Sequence, residues 1–414
     1  MSTPTITRID HCRACGGEHL QQFLNFPAMP FTDDFVVPGH QGQEFCADIP
    51  VYICRDCLVA QTQHNVDVGD YYEDYQYSVG ASGKAAVFMR LLAENLQSKY
   101  YPGKSGVKVL EIGSGDGQQL LAFKETGCSV LGYEPSSHLC QVASDKGIPS
   151  IQGLFDEDSI ALLPEDFRSI DVIMLSYTFD HLPKPKPFLE TCLRLLDPQD
   201  GLLVIEIHDL EKIIERQEYC LFEHEHSIYL TEQTAKTLFD REGYEIIDFD
   251  LVPDADRRAN SLIIVATPKG AARASQAVPA RTPASFNDLN FYTGVGRDIE
   301  AGIAHLEAFI AKATADGKQL AGYGAGGRGV MTLAAVRNAS AMAFLIDRKP
   351  KKPGLLVPKS HLPLVDIAYL QAHPVDAILV FSYGYMAEIQ QELMPLGYEA
   401  SQFYSLLDVL AGSQ

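Results

Sequence analysis

The spacing of apolar positions changes along the chain and divides it into regions with different predicted structures. From about residue 107, apolar runs such as VKVLEIG, SVLGYEP, SIDVIMLSYT and GLLVIEIHD alternate with helical stretches such as QQLLAFKETG. Apolar strands that alternate with helices indicate a parallel, doubly wound α/β sheet. Residues 1 to about 70 lack this alternation and contain only short strand-like pieces such as CADIPVYIC, and a helix is predicted over 82–99.

A second change of pattern comes near residue 268. The segment PKGAARASQAVPARTPASFN is rich in Ala, Pro and Ser and predicts a linker or a long loop. Beyond it, a predicted helix over 297–315, the turn QLAGYGAGGRG and the buried strands AMAFLID and VDAILVFS indicate a smaller α/β unit. We therefore expect three domains, at 1–75, 76–268 and 269–414.

The composition narrows the possible partners. The chain has 414 residues, of which 46% are hydrophobic, as in globular proteins with several domains. Its formal net charge of −21 argues against nucleic acid or an anionic membrane as partner, because phosphate binding depends on Lys and Arg clusters. No apolar run of about 18 residues and no signal-peptide pattern occur, so we expect a cytoplasmic protein without a membrane span.

Four cysteines form two pairs, Cys12-Arg-Ala-Cys15 and Cys54-Arg-Asp-Cys57, separated by 38 residues. In a reducing compartment, paired CxxC motifs indicate a metal site more often than disulfides. Four thiolates suit tetrahedral zinc and leave no open coordination position. We therefore expect a structural Zn²⁺ at Cys12, Cys15, Cys54 and Cys57, although the spacing between the pairs exceeds that of typical zinc ribbons.

The stretch VLEIGSGDGQQLL predicts a strand, a glycine-rich turn and a helix. Glu111 ends the strand, and Gly113, Ser114, Gly115 and Asp116 form the turn. Glycines at such a turn allow a ligand to approach the backbone closely. The third glycine comes one position too early for the dinucleotide fingerprint, and no GK[ST] of a phosphate loop follows. The turn resembles motif I of class I methyltransferases, which bind S-adenosylmethionine; a flavodoxin-like fold with accidental glycines is the alternative.

Four later segments match the same interpretation in order. Glu134 and Pro135 end the second strand, where an acidic side chain can accept the ribose hydroxyls. Phe155 and Asp156, in GLFDED, lie where such enzymes hold the adenine, and Ser176 ends the fourth strand near the methionine moiety. The segment LLDPQDGLLVIEI is similar to the fifth strand and its preceding turn.

The stretch FEHEHSIYL, residues 222–230, concentrates two histidines, two glutamates and a tyrosine. It could be a metal site, a polar helix start or a group of acid–base residues. Its histidines are two positions apart, unlike the four-residue spacing of HExxH zinc helices. The residues by themselves leave these possibilities open.

Taken in order, these motifs resemble the three-domain sugar C-methyltransferases of antibiotic deoxysugar pathways. The resemblance is carried by CRACGG, CRDCLVAQ, EDYQYSVGAS, LEIGSGDG, DHLPKP, FEHEHSIYLT, GYGAGGRG and IDRKPKKPGLLVPKSHLPL. It implies a zinc-binding domain, a class I methyltransferase domain and a Rossmann-like C-terminal domain. It also implies a nucleotide-linked keto sugar as acceptor, deprotonated next to its carbonyl before it attacks the sulfonium methyl group.

The resemblance also implies roles for individual residues. His226 takes the place of the family's proposed base histidine, Glu225 and Tyr229 match, and His181 is either a helper or a structural hydrogen-bonding group. Glu223 stands where the family has tyrosine; it would bring negative charge or a second base, suited to a cationic acceptor, or it would point to solvent. The tyrosines expected to cover the cofactor are Tyr75 and Tyr77, and the residues expected to bind substrate are His224, Asn260, Tyr323 and Arg328.

Two further departures from the family pattern concern the cofactor turn and the acceptor side. Ala259-Asn260-Ser261 stands where the family usually has Gly-Gly-Ser, and Gly115 replaces a frequent asparagine. The acceptor therefore stays open, with an O- or N-methyltransferase of a small natural-product intermediate as the alternative. A zinc-ribbon scaffold with a degenerate methyltransferase core, and a dinucleotide-dependent oxidoreductase that uses GYGAGGRG, are weaker alternatives. We expect a monomer or a homodimer.

Overall fold

The computed structural model describes residues 4–67, 83–348, 350 and 354–413. Tyr75 and Tyr77 lie outside these residues. Within them, no helix combines the length and hydrophobicity needed to cross a membrane.

The N-terminal region consists of antiparallel strands, as its short strand-like pieces predict. One pair joins β1 to β5, and a second sheet joins β2, β3 and β4 in that order. The sheet buries alternate apolar side chains of β3, which explains the period-two pattern of this segment. The strands are β1 Thr5–Arg8, β2 Leu20–Pro30, β3 Cys46–Cys54, β4 Ala60–Thr62 and β5 His64–Asp67.

The central region is a seven-stranded sheet in the order β12-β13-β10-β9-β6-β7-β8, in which β13 runs antiparallel to its neighbours and the rest are parallel. This confirms the predicted doubly wound sheet. The elements are α1 Gly83–Tyr100, β6 Lys108–Ile112, α2 Gln118–Glu125, β7 Ser129–Glu134, α3 Ser137–Asp145, β8 Ser150–Gln152, β9 Val172–Ser176, α4 Pro185–Leu195, β10 Leu202–Ile207, α5 Leu210–Glu215, β11 Ile228–Tyr229, α6 Glu232–Arg241, β12 Tyr244–Asp248 and β13 Leu262–Pro268.

The C-terminal region is a five-stranded parallel sheet in the order β16-β15-β14-β17-β18. The predicted start of its first helix at residue 297 was wrong, because the helix begins at Leu289, where Asp288 caps it by accepting a hydrogen bond from the Asn290 amide. The elements are α7 Leu289–Ala315, β14 Leu320–Tyr323, α8 Gly327–Ala334, β15 Leu345–Ile346, β16 Leu364–Val365, α9 Ile367–Ala372, β17 Ala377–Val380, α10 Met386–Leu393, β18 Phe403–Ser405 and α11 Leu406–Leu410.

The stretch FEHEHSIYL lies where the three regions meet. Its last residues form β11, which pairs with β4 of the N-terminal sheet through Ile228 opposite Gln61 and Tyr229 opposite Ala60. Phe222 and Tyr229 belong to a hydrophobic core that also contains side chains of β2, α7 and α8. The backbone of this stretch is therefore held by the N-terminal sheet, while its side chains reach the edge of the central sheet.

Candidate functional site

The four predicted zinc ligands lie together. Their sulfur atoms are all within 4.8 Å of one another, with Cys12 3.6 Å from Cys57 and Cys15 3.6 Å from Cys54. A tetrahedral zinc with Zn–S bonds of about 2.3 Å requires sulfur–sulfur separations of about 3.8 Å. Each pair sits on a tight turn that closes with a backbone hydrogen bond, from Gly16 to Cys12 and from Leu58 to Cys54. The arrangement fits a structural zinc ion.

The glycine turn after β6 has the backbone conformation that its sequence predicts. Gly113, Gly115 and Gly117 have φ angles of +71°, +53° and +73°, which only glycine adopts at low cost. A Cβ atom at Gly113 would lie 2.4 Å from Oγ1 of Thr178, the residue before the turn Phe179–His181. The glycine turn therefore lies directly against the segment that follows β9.

The acidic residues predicted for the cofactor are buried beside this turn. The two carboxylate oxygens of Glu134 accept hydrogen bonds from the amides of Gly115 and Ser136, at 2.8 and 2.9 Å. Each of these oxygens keeps a lone pair for a ribose hydroxyl donor. Glu111 Oε2 and Ser114 Oγ are buried and have no hydrogen-bond partner among the described residues. Burial raises the pKa of both Glu111 and Glu134.

These unpartnered atoms, together with the open glycine turn, form a cradle that fits a nucleoside cofactor. The remaining predicted contacts lie around it. Pro135 follows Glu134 and is half-buried, and Phe155 packs edge-on against Tyr133 at 5.1 Å. Asp156 is exposed and accepts a hydrogen bond from the Ser159 amide. Asp116, a residue of the turn, is buried and forms an ion pair with Lys146. This ion pair helps to hold the turn in place.

Ser176, predicted near the methionine moiety, belongs to a buried charge cluster that the sequence did not predict. Its hydroxyl donates to Glu206 of β10 at 2.6 Å, and both residues contact the guanidinium of Arg258. Arg258 lies over the rings of Phe88 and Tyr177, at 5.0 and 4.7 Å. The signal in the sequence that could have predicted this cluster was Arg258, which lies in the segment that departs from the family pattern.

His226 lies at the centre of a group of imidazoles. Its ring is 4.8 Å from that of His181 and 5.0 Å from that of His208, which packs at 4.5 Å on Tyr177 at the end of β9. The Nδ1 atom of His226 is 2.8 Å from the carbonyl oxygen of Leu221. Because a carbonyl only accepts, Nδ1 carries the proton and Nε2 keeps its lone pair. Burial lowers the pKa of His226 to about 3 and also lowers that of His181.

Asp180 joins this group, and neither it nor His208 was predicted. Asp180 Oδ2 accepts a hydrogen bond from His208 Nδ1 at 2.7 Å. Burial would raise the pKa of Asp180, but this hydrogen bond and the surrounding imidazoles hold it below its ordinary value. Both residues follow parallel strands, His208 directly after β10 and Asp180 in the turn that follows β9, where ligands of open α/β sheets bind. That position was the signal for finding them.

The other members of the stretch take different positions. Glu223 is 8% exposed, so its side chain does not point to solvent, and a Cβ atom at Gly327 would lie 2.7 Å from its carboxyl group. Burial, followed by the repulsion of Glu225, raises the pKa of Glu223 well above its ordinary value. Glu225 is half-buried, and the Tyr229 hydroxyl is 3.3 Å from the carbonyl oxygen of Leu221.

The residues predicted to bind substrate are not brought together. His224 packs in the N-terminal region, 3.0 Å from His64, with its Nε2 2.9 Å from the carbonyl oxygen of Met29. Tyr323 of β14 donates to Glu392 of α10, within the C-terminal region. Asn260 and Arg328 do meet, because both bind the carboxylate of Glu218, at 2.8 and 3.3 Å. Glu218 is fully buried, so this contact ties the central region to α8.

Three family models match consecutive parts of the chain. The model described as "Putative zinc binding domain" matches residues 12–72, "Methyltransferase domain" matches 82–248 and "C-methyltransferase C-terminal domain" matches 261–407. The curated protein "C-methyltransferase NovU" from Streptomyces niveus is 26% identical over 388 residues, which are 92% of this chain and 91% of that protein. An "Uncharacterized methyltransferase" from Bacillus pumilus is 28% identical over 37% of this chain and 79% of its own length.

Two solved structures resemble part of the chain. The PH0226 protein from Pyrococcus horikoshii OT3 is 17% identical over 49% of this chain and 99% of that chain, with a TM-score of 0.37. The plantazolicin methyltransferase BpumL in complex with SAH is 20% identical over 44% of this chain and 85% of that chain, with a TM-score of 0.35.

The three matched models follow the order of the zinc-ligand, central and C-terminal regions described above. The chain is therefore an S-adenosylmethionine-dependent methyltransferase, and it is similar over its three regions to the C-methyltransferases with a zinc-binding, a class I methyltransferase and a C-terminal C-methyltransferase domain.

Proposed function

We propose that this enzyme methylates a carbon atom next to a carbonyl group in a nucleotide-linked keto sugar or a related small metabolite. The observation that carries the proposal is the state of His226. Its hydrogen bond to Leu221 leaves Nε2 unprotonated, and its ring lies beside residues at the carboxyl ends of β9 and β10. A histidine in this state is suited to remove a proton from carbon.

The chain would divide the work between two groups of residues. Glu134, Glu111, Ser114 and the glycine turn would hold S-adenosylmethionine, which when bound supplies an already activated methyl group. His226 would accept the proton from the acceptor carbon, and the electron pair left on that carbon would become an enolate.

Glu223 would hydrogen-bond the acceptor as a neutral acid. Its carboxyl group is buried, and its raised pKa favours the protonated form. A protonated carboxyl group donates one hydrogen bond, as a phenol does. The negative charge that the sequence predicts at this position is therefore disfavoured, and a carbonyl or hydroxyl oxygen of the acceptor becomes the better partner.

The test is deuterium wash-in from solvent, with a thymidine-diphosphate-linked 4-keto-6-deoxyhexose as probe and S-adenosylhomocysteine in place of the methyl donor. The wild type should exchange the proton beside the carbonyl. His226→Asn keeps a donor for the Leu221 carbonyl and removes the base, so exchange should fall by about 100-fold. Affinity for S-adenosylhomocysteine, measured by calorimetry, should stay within about twofold, since no step of binding uses the base.

His305→Asn is the matched control, because His305 Nδ1 also lies 2.8 Å from a backbone carbonyl, that of Leu410 on the far helix α11. This variant should exchange like the wild type. If the wild type binds S-adenosylhomocysteine but exchanges no proton of any keto sugar tested, carbon methylation of such acceptors is wrong. Methylation of an oxygen or nitrogen atom, which needs no carbanion, then becomes the better explanation.

A further inference from the structure

The cluster of Asp180, His208 and His226 contains a buried negative charge that needs explanation. Asp180 is 1% exposed, and across the residues the structure describes, no lysine or arginine lies within ion-pair distance of its carboxylate. Its Oδ1 atom is buried and lacks a hydrogen-bond partner among the same residues. A buried charge is tolerated only when it is paired or bound by a metal. The compensating charge must therefore come from the histidines or from a cation held between them.

The histidines are close enough to supply that charge. A carboxylate oxygen of Asp180 and ring nitrogens of His208 and His226 all lie within 4.8 Å of one another. His208 Nδ1 donates to Asp180 Oδ2, which fixes both the ring and the carboxylate. The second oxygen of Asp180 is left without a partner, although it lies in the same buried space.

We propose that Asp180 is the counter-ion of the base histidine and that His208 positions it. This inference rests on the proposed function, because it takes His226 as the base. When His226 accepts the proton from the acceptor carbon, its ring becomes an imidazolium, and burial of the site disfavours this charge. The fixed carboxylate of Asp180 stabilises that imidazolium, and the proton later returns to solvent. The unprotonated state of His226 allows it to accept the proton, and the unpartnered oxygen of Asp180 is available to the positive charge that results.

Other titratable groups face the cluster. His181 packs edge-on against His226, and the phenol ring of Tyr177 packs on the ring of His208. Glu223 and Tyr229 interact electrostatically with Asp180 from the neighbouring stretch. Burial raises the pKa of both Glu223 and Tyr229, so neither adds much negative charge. Asp180 is therefore the anion whose removal should change the charge state of the histidines.

The first experiment needs no acceptor. Full-length protein labelled with ¹³C at histidine Cε1 and saturated with S-adenosylhomocysteine is titrated by NMR from pH 9 to pH 5, with His208→Asn and His226→Asn used for assignment. In the wild type, His226 should stay neutral throughout this range, in line with its lowered pKa, and the ring that carries the proton should be His208, whose Nδ1 donates to Asp180. In Asp180→Asn both rings should remain neutral. A protonated His226 in the resting wild type, or an unchanged His208 signal in Asp180→Asn, would overturn the proposal.

The second experiment measures wash-in on the keto-sugar probe. Asp180→Asn should lose at least about tenfold in turnover, with the KM for the probe and the affinity for S-adenosylhomocysteine near wild type. His208→Asn keeps a donor at the Nδ1 position and should recover most of the activity that His208→Ala loses. Equal loss in both His208 variants would overturn the positioning role. No wash-in by the wild type would sink the proposed acceptor, while the NMR titration would still decide the charge pairing.

Metal analysis of the same samples tests the alternative that a metal ion, and not an imidazolium, lies beside Asp180. The proposal expects one zinc per chain, held by the four cysteines, in both the wild type and Asp180→Asn. A second metal ion per chain that disappears in Asp180→Asn would overturn the proposal, because the cation beside Asp180 would then be a metal rather than an imidazolium.

Discussion

Two glycine turns in this enzyme follow interior strands of two different sheets, and their surroundings differ. The first, Gly113–Gly117, follows β6, and the second, Gly324–Gly329, follows β14. The first turn has three left-handed glycines and faces unpartnered buried polar atoms of Glu111 and Ser114. This turn is open to a ligand on its polar side.

The second turn is occupied by groups of the protein itself. A Cβ atom at Gly324 would lie 2.4 Å from Ser382 Oγ, and one at Gly327 would lie 2.7 Å from the carboxyl group of Glu223. Arg328 beside it is bound to the buried Glu218. A glycine turn presents its amides to a ligand only where neighbouring side chains leave room. The G-x-G-x-x-G pattern of the second turn therefore favours close packing between domains over dinucleotide binding.

The largest expected effect tests the first turn. Gly113→Ala places a Cβ atom at φ +71° and 2.4 Å from Thr178, so the turn must distort. Affinity for S-adenosylhomocysteine should fall on the order of 100-fold by calorimetry. Gly326→Ala in the second turn is the matched control, because its φ is −79° and nothing lies within 4 Å of the added atom. An equal loss of affinity in both variants would show that the two turns do not differ in their importance for cofactor binding.

The second prediction concerns the packing role of the other turn. Arg328→Met removes the nearer of the two guanidinium groups beside the fully buried Glu218, the other being that of Arg216 at 4.0 Å. Breaking a fully buried pair costs about 3–5 kcal/mol. The cost here should be smaller, because Arg328 is 26% exposed and Arg216 remains. The thermal midpoint should fall by roughly 5 °C or more, while affinity for S-adenosylhomocysteine stays unchanged. Arg337→Met breaks an exposed pair with Glu307 and should shift the midpoint by less than about 1 °C. Lost cofactor affinity without lost stability would assign Arg328 to a binding site instead.

The smallest expected effect is a pH-dependent change in stability that comes from Glu223, whose carboxyl group lies against the second turn. The pKa of Glu223 is raised in the folded state, so the folded protein binds more protons than the unfolded chain at pH values above about 4.5, and stability falls as pH rises through that window. Gln is neutral at every pH. Glu223→Gln should therefore match the wild type near pH 4.5 and gain a few degrees in thermal midpoint by pH 8.

Glu307→Gln gives a control of opposite sign. The hydrogen bond from Arg337 lowers the pKa of Glu307, so its contribution to stability is present above its ordinary value and is lost as pH falls. The difference between Glu307→Gln and wild type should shrink, not grow, toward acid pH, and it should be small because the pair is exposed. A Glu223→Gln variant that loses stability at pH 8 would show that Glu223 is a carboxylate bound to a cation.

The sequence by itself determined the features that depend on local order. The alternation of apolar runs predicted the central parallel sheet, because strands buried on both faces must be apolar throughout. The Gly113–Gly117 turn, the acid at Glu134 and the two CxxC pairs were also readable, since each works through residues at fixed short spacing. The predicted helix over 82–99 is confirmed as α1.

Only the tertiary structure decided which distant residues share a site. Asp180, His208 and His226 come from three separate segments, and only the packing of β9, β10 and β11 brings them within 4.8 Å. The same packing turns His224 away toward the N-terminal sheet, although it stands two positions from His226. The cause is that side-chain direction depends on the backbone path and on the sheets on either side, and no local pattern records these. The sequence thus determined the folds and the first glycine turn, while the long-range packing of the domains decided which residues join His226 in one cluster.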